Sequence, residues 1–224
     1  MTHDWSDVSE RIARLAAAPG ADQIFGASGH GHGWRLEPPL SPSELSEIED
    51  QLGVELPEEY RSFLLTVGRG GAGPAYGLFP VRQLDERWQW DGDGAEITAL
   101  ETLSQPFPHI AAFNPADGLP GPPVREAFDS PEAFGVAEDA YWDDRYQVID
   151  RPEHSVGLVY LCHLGCAYRE ALVVSGRARG QMWADERAGD GGLLPVTDDA
   201  GVPLGFATWY RKWLNNSEAQ LANR

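Results

Sequence analysis

The sequence contains almost no lysine. Lys212 is the only one, and the other 16 basic residues are arginines. Against 35 aspartates and glutamates this leaves a formal net charge of −18. Binding to nucleic acids or to anionic membranes depends on clustered positive charge, so the composition argues against both. It favours a basic partner, although a large acidic excess can also serve solubility alone.

The sequence is also poor in cysteine and has no long apolar run. Cys162 and Cys166 are the two cysteines, and no stretch approaches the roughly 18 apolar residues of a membrane-spanning helix. The first ten residues, MTHDWSDVSE, are polar and acidic, which is unlike a secretory signal. We therefore expect reduced thiols and a cytoplasmic location without membrane attachment.

What the sequence does contain is typical of a packed globular protein. It has 224 residues, of which 42% are hydrophobic, and eight of them are tryptophans. A chain of this length buries roughly 70% of its unfolded surface, so its core needs neither a disulfide nor a metal. Composition and periodicity together indicate an acidic α+β globule.

The clearest local signals lie between Ser41 and Pro80. Ser41 and Glu44 form a capping box around Pro42, and Gly53 is placed to end that helix. Pro57 then opens a second helix. The apolar positions of the two helices are Leu45, Ile48, Leu52, Tyr60, Phe63, Leu64 and Val67, and the glycines that stop the second are Gly68, Gly70, Gly71 and Gly73.

The glycine run also fits the spacing of a dinucleotide-binding loop, with Gly68, Gly70 and Gly73 in the three glycine positions. Such a loop needs a strand before the glycines and a helix after them, so that a helix N-terminus meets the pyrophosphate. Here a helix precedes the glycines and a strand at 76–82 is expected to follow. We interpret them as a helix stop and a tight turn, without a cofactor.

Other elements follow from periodicity and turn residues. We expect a helix at 4–18 on Trp5, Val8, Ile12 and Leu15, and a connector at 20–40 anchored by Ile24, Phe25 and Trp34. Residues 84–105 suggest a loop and then a short helix at 96–104, and the six prolines of 106–123 exclude a long regular element. Strands are expected at 156–163, 169–174 and 180–185, the last two joined by the turn at 175–179. A helix with an aromatic face (Phe206, Trp209, Tyr210, Trp213, Leu214) completes the pattern.

Two groups of motifs resemble one known family. The first reads L-P-x-x-Y-R-x-F-L, G-x-G-G-x-G and Y-G-L-F-P between Leu56 and Pro80. The second comprises Gly165-Cys166, then L-V-V-S-G, R-G-Q-x-W-x-D and F-x-x-W-Y-x-x-W-L between Leu172 and Leu214. Both groups resemble the SUKH superfamily of the Smi/Knr type, which includes fungal cell-wall assembly regulators and bacterial proteins that protect a cell against polymorphic toxins.

The resemblance implies an α+β fold, with helices packed around a mainly antiparallel sheet. It implies a SUKH-like domain at 24–214 with a long acidic and aromatic insert near 84–150, an N-terminal helical extension at 1–23 and a C-terminal tail at 215–224. It also implies a non-catalytic protein without cofactor or metal, whose role is to bind and neutralise a cognate toxin. Many such toxins are nucleases with basic surfaces, which an acidic partner would suit. The alternative within the family is a regulatory or scaffold protein with an unrelated partner.

Three groups of residues leave room for other chemistry. Cys162, His163 and Cys166 suggest a thiol nucleophile or a metal site, but no further ligands stand at zinc spacing, and a buried structural cysteine is the commoner case. His30 and His32 suggest a weak metal site or a solvated loop. The paired carboxylates Glu58/Glu59, Asp143/Asp144 and Asp198/Asp199 are interpreted as surface or helix-dipole residues, because adjacent residues on a helix do not share a face.

The remaining signal is a set of carboxylates interleaved with aromatic residues. Aromatic side chains anchor protein interfaces, and carboxylates pair with arginine or lysine on a partner. The alternative is that the aromatic residues belong to the core and the acids to a solvated face. The residues we expect to contact a partner are Trp88, Trp90, Asp91, Asp93, Asp139, Tyr141, Trp142, Asp143 and Asp144.

Overall fold

The structure is a computed structural model that describes residues 4–189 and 191–223. The first half of the chain forms α1 (Val8–Ala17), α2 (Pro42–Leu52), α3 (Glu58–Thr66), β1 (Val81–Leu84) and β2 (Arg87–Trp90). The second half forms α4 (Pro131–Ile149), β3 (Leu158–Gly165), β4 (Tyr168–Val173), β5 (Met182–Glu186), β6 (Gly192–Pro195) and α5 (Phe206–Ala222).

A four-stranded sheet in the order β3-β4-β5-β6 forms the centre of the fold, and every neighbouring pair in it is antiparallel. The first five residues of β3 are all buried, as expected for an apolar strand covered on both faces. The predicted α+β fold with a mainly antiparallel sheet is therefore confirmed. So are the three predicted strands, whereas β6 was not predicted.

Irregular segments cover both edges of this sheet. At the β3 edge, the Phe79 amide donates to the Leu161 carbonyl at 2.7 Å. At the β6 edge, Phe113 and Leu193 exchange two backbone hydrogen bonds of 2.7 and 2.8 Å. Open strand edges invite pairing with other chains, so these segments protect the sheet from such contacts.

The helices α1, α3 and α5 pack together through aromatic side chains at or near them. Trp5, which precedes α1, lies with its ring centroid 5.3 Å from Phe63 of α3 and 6.1 Å from both Phe206 and Tyr210 of α5. Its indole nitrogen donates to the Ser62 hydroxyl at 2.8 Å. The predicted N-terminal helix is thus confirmed, and it belongs to the same core as the sheet. The assignment of residues 1–23 as a separate extension stays a prediction.

The capping and turn signals of the central stretch are confirmed. The Ser41 hydroxyl accepts from the Glu44 amide at 3.2 Å, and the Glu44 carboxylate accepts from the Ser41 amide at 2.7 Å. Gly53 ends α2 with a φ of 64°. Gly71 has a φ of 102°, and a Cβ there would lie 2.2 Å from the Arg35 carbonyl oxygen. The glycines after α3 therefore allow two backbone segments to approach closely, and no helix follows them.

The region after the glycines differs from the prediction. The expected strand at 76–82 is wrong for residues 76–80, where only Leu78 takes part in bridges, and the regular pairing begins at Val81. The expected loop instead holds β2, which pairs with β1 because Trp88 and Trp90 alternate with Arg87 and Gln89 and point inward.

Three further predictions need correction. The expected helix at 96–104 consists of two separate 3-10 turns, Ala95–Ile97 and Leu100–Thr102. In the connector at 20–40, Ile24 and Trp34 are buried anchors, but Phe25 is 60% exposed. The C-terminal helix extends beyond the predicted aromatic face to Ala222.

Candidate partner-binding surface

The negative charge of the protein is concentrated in one part of the chain. Residues 84–150 contain 15 acidic residues and 3 arginines, a net charge of −12 out of the total of −18. The rest of the chain, more than twice as long, carries only −6. A surface built from this segment therefore produces most of the field that a charged partner would meet.

The longest helix of this segment is α4, and its ends have identifiable partners. The Ser130 hydroxyl accepts from the Ala133 amide at 3.1 Å, and Pro131 occupies the first helical position. At the other end, the Val148 carbonyl contacts the His154 ring nitrogen Nε2 at 2.9 Å, and the Ile149 carbonyl accepts from Arg187 Nη1 at 2.8 Å. The helix is thus capped at its start and anchored at its end.

Between its ends, α4 packs very little against the core. Of its 19 residues, all of which the structure describes, only Ile149 is buried. Phe134, Tyr141 and Val148 are half-buried on the side that faces the protein. The opposite side repeats at the helical spacing of three and four residues and is exposed throughout. We call it the α4 outer face, and it consists of Glu132, Val136, Asp139, Trp142, Asp143 and Tyr146.

Large aromatic side chains lie exposed on this face. Trp142 is 40% and Tyr146 is 49% exposed, and their rings stack with centroids 6.0 Å apart. Val136, one turn and a half earlier, is 72% exposed. Exposed tryptophan and tyrosine flanked by carboxylates match the composition of interface hot spots for basic partners.

A buried ionic cluster anchors the C-terminal end of α4 to the sheet. Arg187 donates to both carboxylate oxygens of Asp185 at 2.9 and 2.6 Å, to the Ser155 hydroxyl at 3.1 Å and to the Tyr160 hydroxyl at 2.9 Å. Burial alone would raise the pKa of Asp185, but its bonds to Arg187 outweigh this and hold the pKa below its ordinary value. Since Arg187 also binds the Ile149 carbonyl, the cluster fixes where α4 leaves the core.

The structure places the predicted contact residues in two different settings. Trp88 and Trp90 are 7% and 4% exposed, so as surface contacts they are a wrong prediction. The Trp90 indole donates to the Tyr60 hydroxyl at 2.8 Å, and the Trp88 indole donates to Glu47 at 3.3 Å. Both bonds orient the rings toward the helices rather than toward solvent.

The other predicted residues are exposed or half-exposed. Asp91 pairs with Arg82 at 3.0 Å, and Asp93 lies 3.6 Å from the His163 Nδ1 atom with its side chain 84% exposed. On α4, Asp139, Trp142 and Asp143 share the outer face. Tyr141 and Asp144 lie on other sides of the helix. Whether these residues contact a partner stays a prediction. Sequence reasoning did not select Glu132, Val136 and Tyr146, although helical spacing from Asp139 and Asp143 would have identified them.

The thiols do not form a reactive centre with the neighbouring histidine. Cys162 is fully buried, and burial raises the pKa of its thiol well above the ordinary value. His163 points to the other face of the strand, where its ring stacks on Tyr76. Cys166 is exposed in the turn after β3. A protonated, buried thiol is a poor nucleophile.

The two loop histidines also differ from each other. His30 is exposed, but His32 is only 8% exposed and its ring packs edge-on against Trp34 and Trp213 at 5.0 and 5.7 Å. The interpretation as a solvated loop is therefore wrong for His32. Burial lowers the pKa of this histidine to about 4, so it is neutral near pH 7.

Among the paired carboxylates, Glu59 has a structural role that was not predicted. Its Oε2 atom accepts from the Ala207 amide at 2.8 Å, in the first turn of α5. Gly205 at the N-cap offers no side chain for this purpose, so a residue of α3 caps α5. Asp198 accepts from the Ala200 and Val202 amides at 2.9 Å and closes a turn.

Within the described residues, no group of three or more histidine, cysteine, aspartate or glutamate side chains could hold a metal ion. No helix in this part of the chain is long and apolar enough to cross a membrane. The geometry thus defines an acidic α+β protein whose most distinctive surface is an exposed helix with carboxylates and aromatic rings.

Comparison with known proteins identifies the family. The model of the SMI1 / KNR4 family (SUKH-1) matches residues 39–201, well over half of the chain. The chain therefore belongs to the SMI1 / KNR4 family, within the SUKH superfamily that its motifs resemble. No curated protein and no solved structure matches the chain significantly. Members of this family are generally non-catalytic, and membership suggests protein–protein interaction in general and is consistent with immunity or Smi/Knr-type roles.

Proposed function

We propose that this chain is a non-catalytic, cytoplasmic immunity protein that binds a basic toxin domain through the α4 outer face. One observation carries the proposal: a 19-residue helix buries a single side chain while it exposes Trp142, Tyr146 and three carboxylates on one face. Such a surface is costly to maintain in isolation, because large exposed apolar patches promote aggregation. A bound partner would cover these exposed side chains and remove them from water.

The charge distribution supports a basic partner. Charges within about 10 Å of one another act together at an ionic strength of ~0.1 M. Asp139 and Asp143 lie one turn apart, and Glu132 lies two turns before Asp139 on the same face. Together with the net charge of −12 in residues 84–150, they would steer a basic domain toward this helix. On a nuclease toxin, such a helix would occupy the cleft that binds phosphate.

Capture from the source cells tests the proposal. The tagged protein would be used as bait at about 50 mM and about 500 mM salt, and the retained proteins identified by mass spectrometry. We expect a basic toxin domain at low salt and much less of it at high salt. A housekeeping or cell-envelope protein would instead support the regulatory alternative of the Smi/Knr type.

A matched pair of variants locates the binding surface. The double variant Asp139→Asn/Asp143→Asn removes two charges from the outer face, and Asp22→Asn/Asp50→Asn removes two exposed charges elsewhere. Both have the same net charge, so general electrostatics predicts equal effects. The proposal predicts that only the α4 variant loses the partner. Equal retention by the two variants would contradict the assignment to α4.

A further inference from the structure

A second feature lies beside α5 and includes no residue of α4. A cleft of about 340 Å³ opens between α5, the loop at Phe25 and the turn at Ala75. Trp209, Trp213 and Glu170 form its inner wall. Pockets of this size are at the lower limit for small ligands, so the cleft suits one side chain rather than an extended molecule.

The polar group of the cleft is the carboxylate of Glu170. Its Oε2 atom accepts from the Trp209 indole nitrogen at 2.9 Å and from the Cys162 thiol at 3.7 Å. Both donors are neutral. Within the described chain, no lysine, arginine or histidine side chain lies within ion-pair distance of this carboxylate. Burial raises the pKa of Glu170 and outweighs the two hydrogen bonds, which act in the opposite direction, so the buried negative charge is costly until a cation pairs with it.

The nearest basic residue of the cleft wall is directed elsewhere. Lys212 is part of the wall, but its ammonium nitrogen lies 3.8 Å from Asp199 Oδ1. Among the described residues, the Glu170 carboxylate therefore has no counter-charge at ion-pair distance. Aromatic rings supply the complementary surface, because their faces attract cations.

An exposed pair of aromatic side chains lies at the edge of the cleft, and Phe25, one of the two, lines it. Phe25 is 60% and Tyr76 is 39% exposed, and their rings meet edge-to-face with centroids 5.2 Å apart. Phe25 was expected to be a core anchor and instead stands at the mouth of the cleft. An aromatic rim around one uncompensated carboxylate is the arrangement that accepts a guanidinium or ammonium group with an apolar stem.

We propose that this cleft binds an arginine or lysine side chain of a partner protein, with Glu170 as the anionic anchor and Phe25, Trp209 and Trp213 as the apolar walls. The inference rests on the proposed partner-binding function and specifies one chemical group that the partner must present. The observations that support the cleft are separate from those that support the α4 outer face, because the two surfaces share no residue.

The test compares two ligands on the wild-type protein. N-acetyl-arginine amide and N-acetyl-citrulline amide have the same shape, but only arginine carries a charge. Each is titrated while the indole N–H resonance of Trp209 is followed by NMR, with Trp209→Phe used for its assignment. We expect a saturable shift with the arginine amide, and binding of the citrulline amide about tenfold weaker or more. Equal responses to the two ligands would overturn the proposal.

Two variants locate the anchor. Glu170→Gln keeps the shape and an acceptor oxygen, and it should remove the preference for arginine. Lys212→Met removes the positive charge at the wall and should bind the arginine amide at least as tightly as the wild type. Loss of binding in Lys212→Met, or unchanged binding in Glu170→Gln, would contradict the electrostatic account. If Glu170→Gln does not fold, the ligand pair on the wild-type protein still decides the question.

The outcome is separable from that of the proposed function. A titration without binding would overturn the proposal for the cleft, but it would not affect the capture of a basic domain by α4. An empty capture experiment leaves the result of the titration standing.

Discussion

The aromatic core and the helix α4 contain similar residues, but the rings are buried in the core and exposed on α4. In the core, Phe206 and Tyr210 are fully buried among other rings and gain their stability from packing. On α4, Trp142 and Tyr146 stack on each other but stay about half exposed. Aromatic content alone therefore does not identify an interface. The decisive property is which side of the element the rest of the chain covers.

The largest effect is expected in the core. Phe206→Ala removes a fully buried ring with centroids 4.9 Å from Tyr60 and 5.2 Å from Phe63. We expect a loss of about 3–5 kcal/mol in the free energy of unfolding, because the cavity adds to the lost transfer energy. Urea denaturation measures it. A loss below ~1 kcal/mol would mean that the aromatic cluster contributes little to the fold.

The second largest loss of stability is expected where the ionic cluster anchors α4 to the core. Arg187→Met leaves the Asp185 carboxylate buried without its partner and should cost roughly 3 kcal/mol or more. Amide hydrogen exchange should also accelerate at the C-terminal end of α4, where Arg187 binds Ile149. The double variant Asp185→Leu/Arg187→Met removes both charges and should recover part of the stability. Unchanged exchange in α4 in both variants would show that the cluster does not anchor the helix.

Acid should weaken the core through His32. Its pKa in the folded protein is about 4, below the ordinary value of 6.5, so the unfolded chain takes up the proton first. The contribution of the neutral His32 ring to the free energy of unfolding is fully present above about pH 6.5. This contribution is lost as the pH falls toward 4, and the loss reaches roughly 3 kcal/mol. His32→Gln should lack this part of the pH dependence, and His30→Gln, on the exposed neighbour, should keep it. Identical pH profiles for the wild type and His32→Gln would contradict the burial of the neutral ring.

A smaller effect is expected where one helix caps another. Glu59→Gln weakens the bond to the Ala207 amide and the interaction with the N-terminus of α5, and should cost about 1 kcal/mol. Glu58→Gln is the matched control, because the exposed Glu58 carboxylate lies 3.5 Å from Arg61 and does not cap α5. Thermal unfolding compares the two. A larger loss for Glu58→Gln than for Glu59→Gln would reverse the assignment of the cap.

The smallest effect on stability is expected on the α4 outer face. Trp142→Ala removes a ring that the core does not cover, so the free energy of unfolding should change by less than about 1 kcal/mol. Denaturation under the conditions used for Phe206→Ala measures the difference. A loss as large as that of Phe206→Ala would mean that α4 is part of the core, and the proposed role of its outer face would fail.

Much of the fold could be predicted because local signals and burial agree. Three such features depend only on neighbouring residues and are present in the structure. They are the capping box of Ser41 and Glu44, the end of α2 at Gly53 and the apolar run of β3. The strand β2 was missed because four residues with two tryptophans resemble a loop insert until the burial of Trp88 and Trp90 is known.

The candidate site was only partly predictable. Its acidic and aromatic residues stand out in the sequence, but α4 lacks a single apolar stripe, since Phe134 lies on the inner side while Val136 and Trp142 lie on the outer face. Sequence therefore could not separate Asp143 on the outer face from the adjacent Asp144. The burial of His32 was equally hidden, because it depends on Trp213, which lies 181 positions further along the chain.

Docking through α4 is tested by hydrogen–deuterium exchange of the protein alone and in complex with the captured basic domain. We expect that amides of 131–149 exchange readily in the free protein and become strongly protected in the complex, while the core strands β3 to β5 change little. Protection confined to other surfaces, with α4 exchanging at its free rate, would contradict the claim that this helix is the docking element.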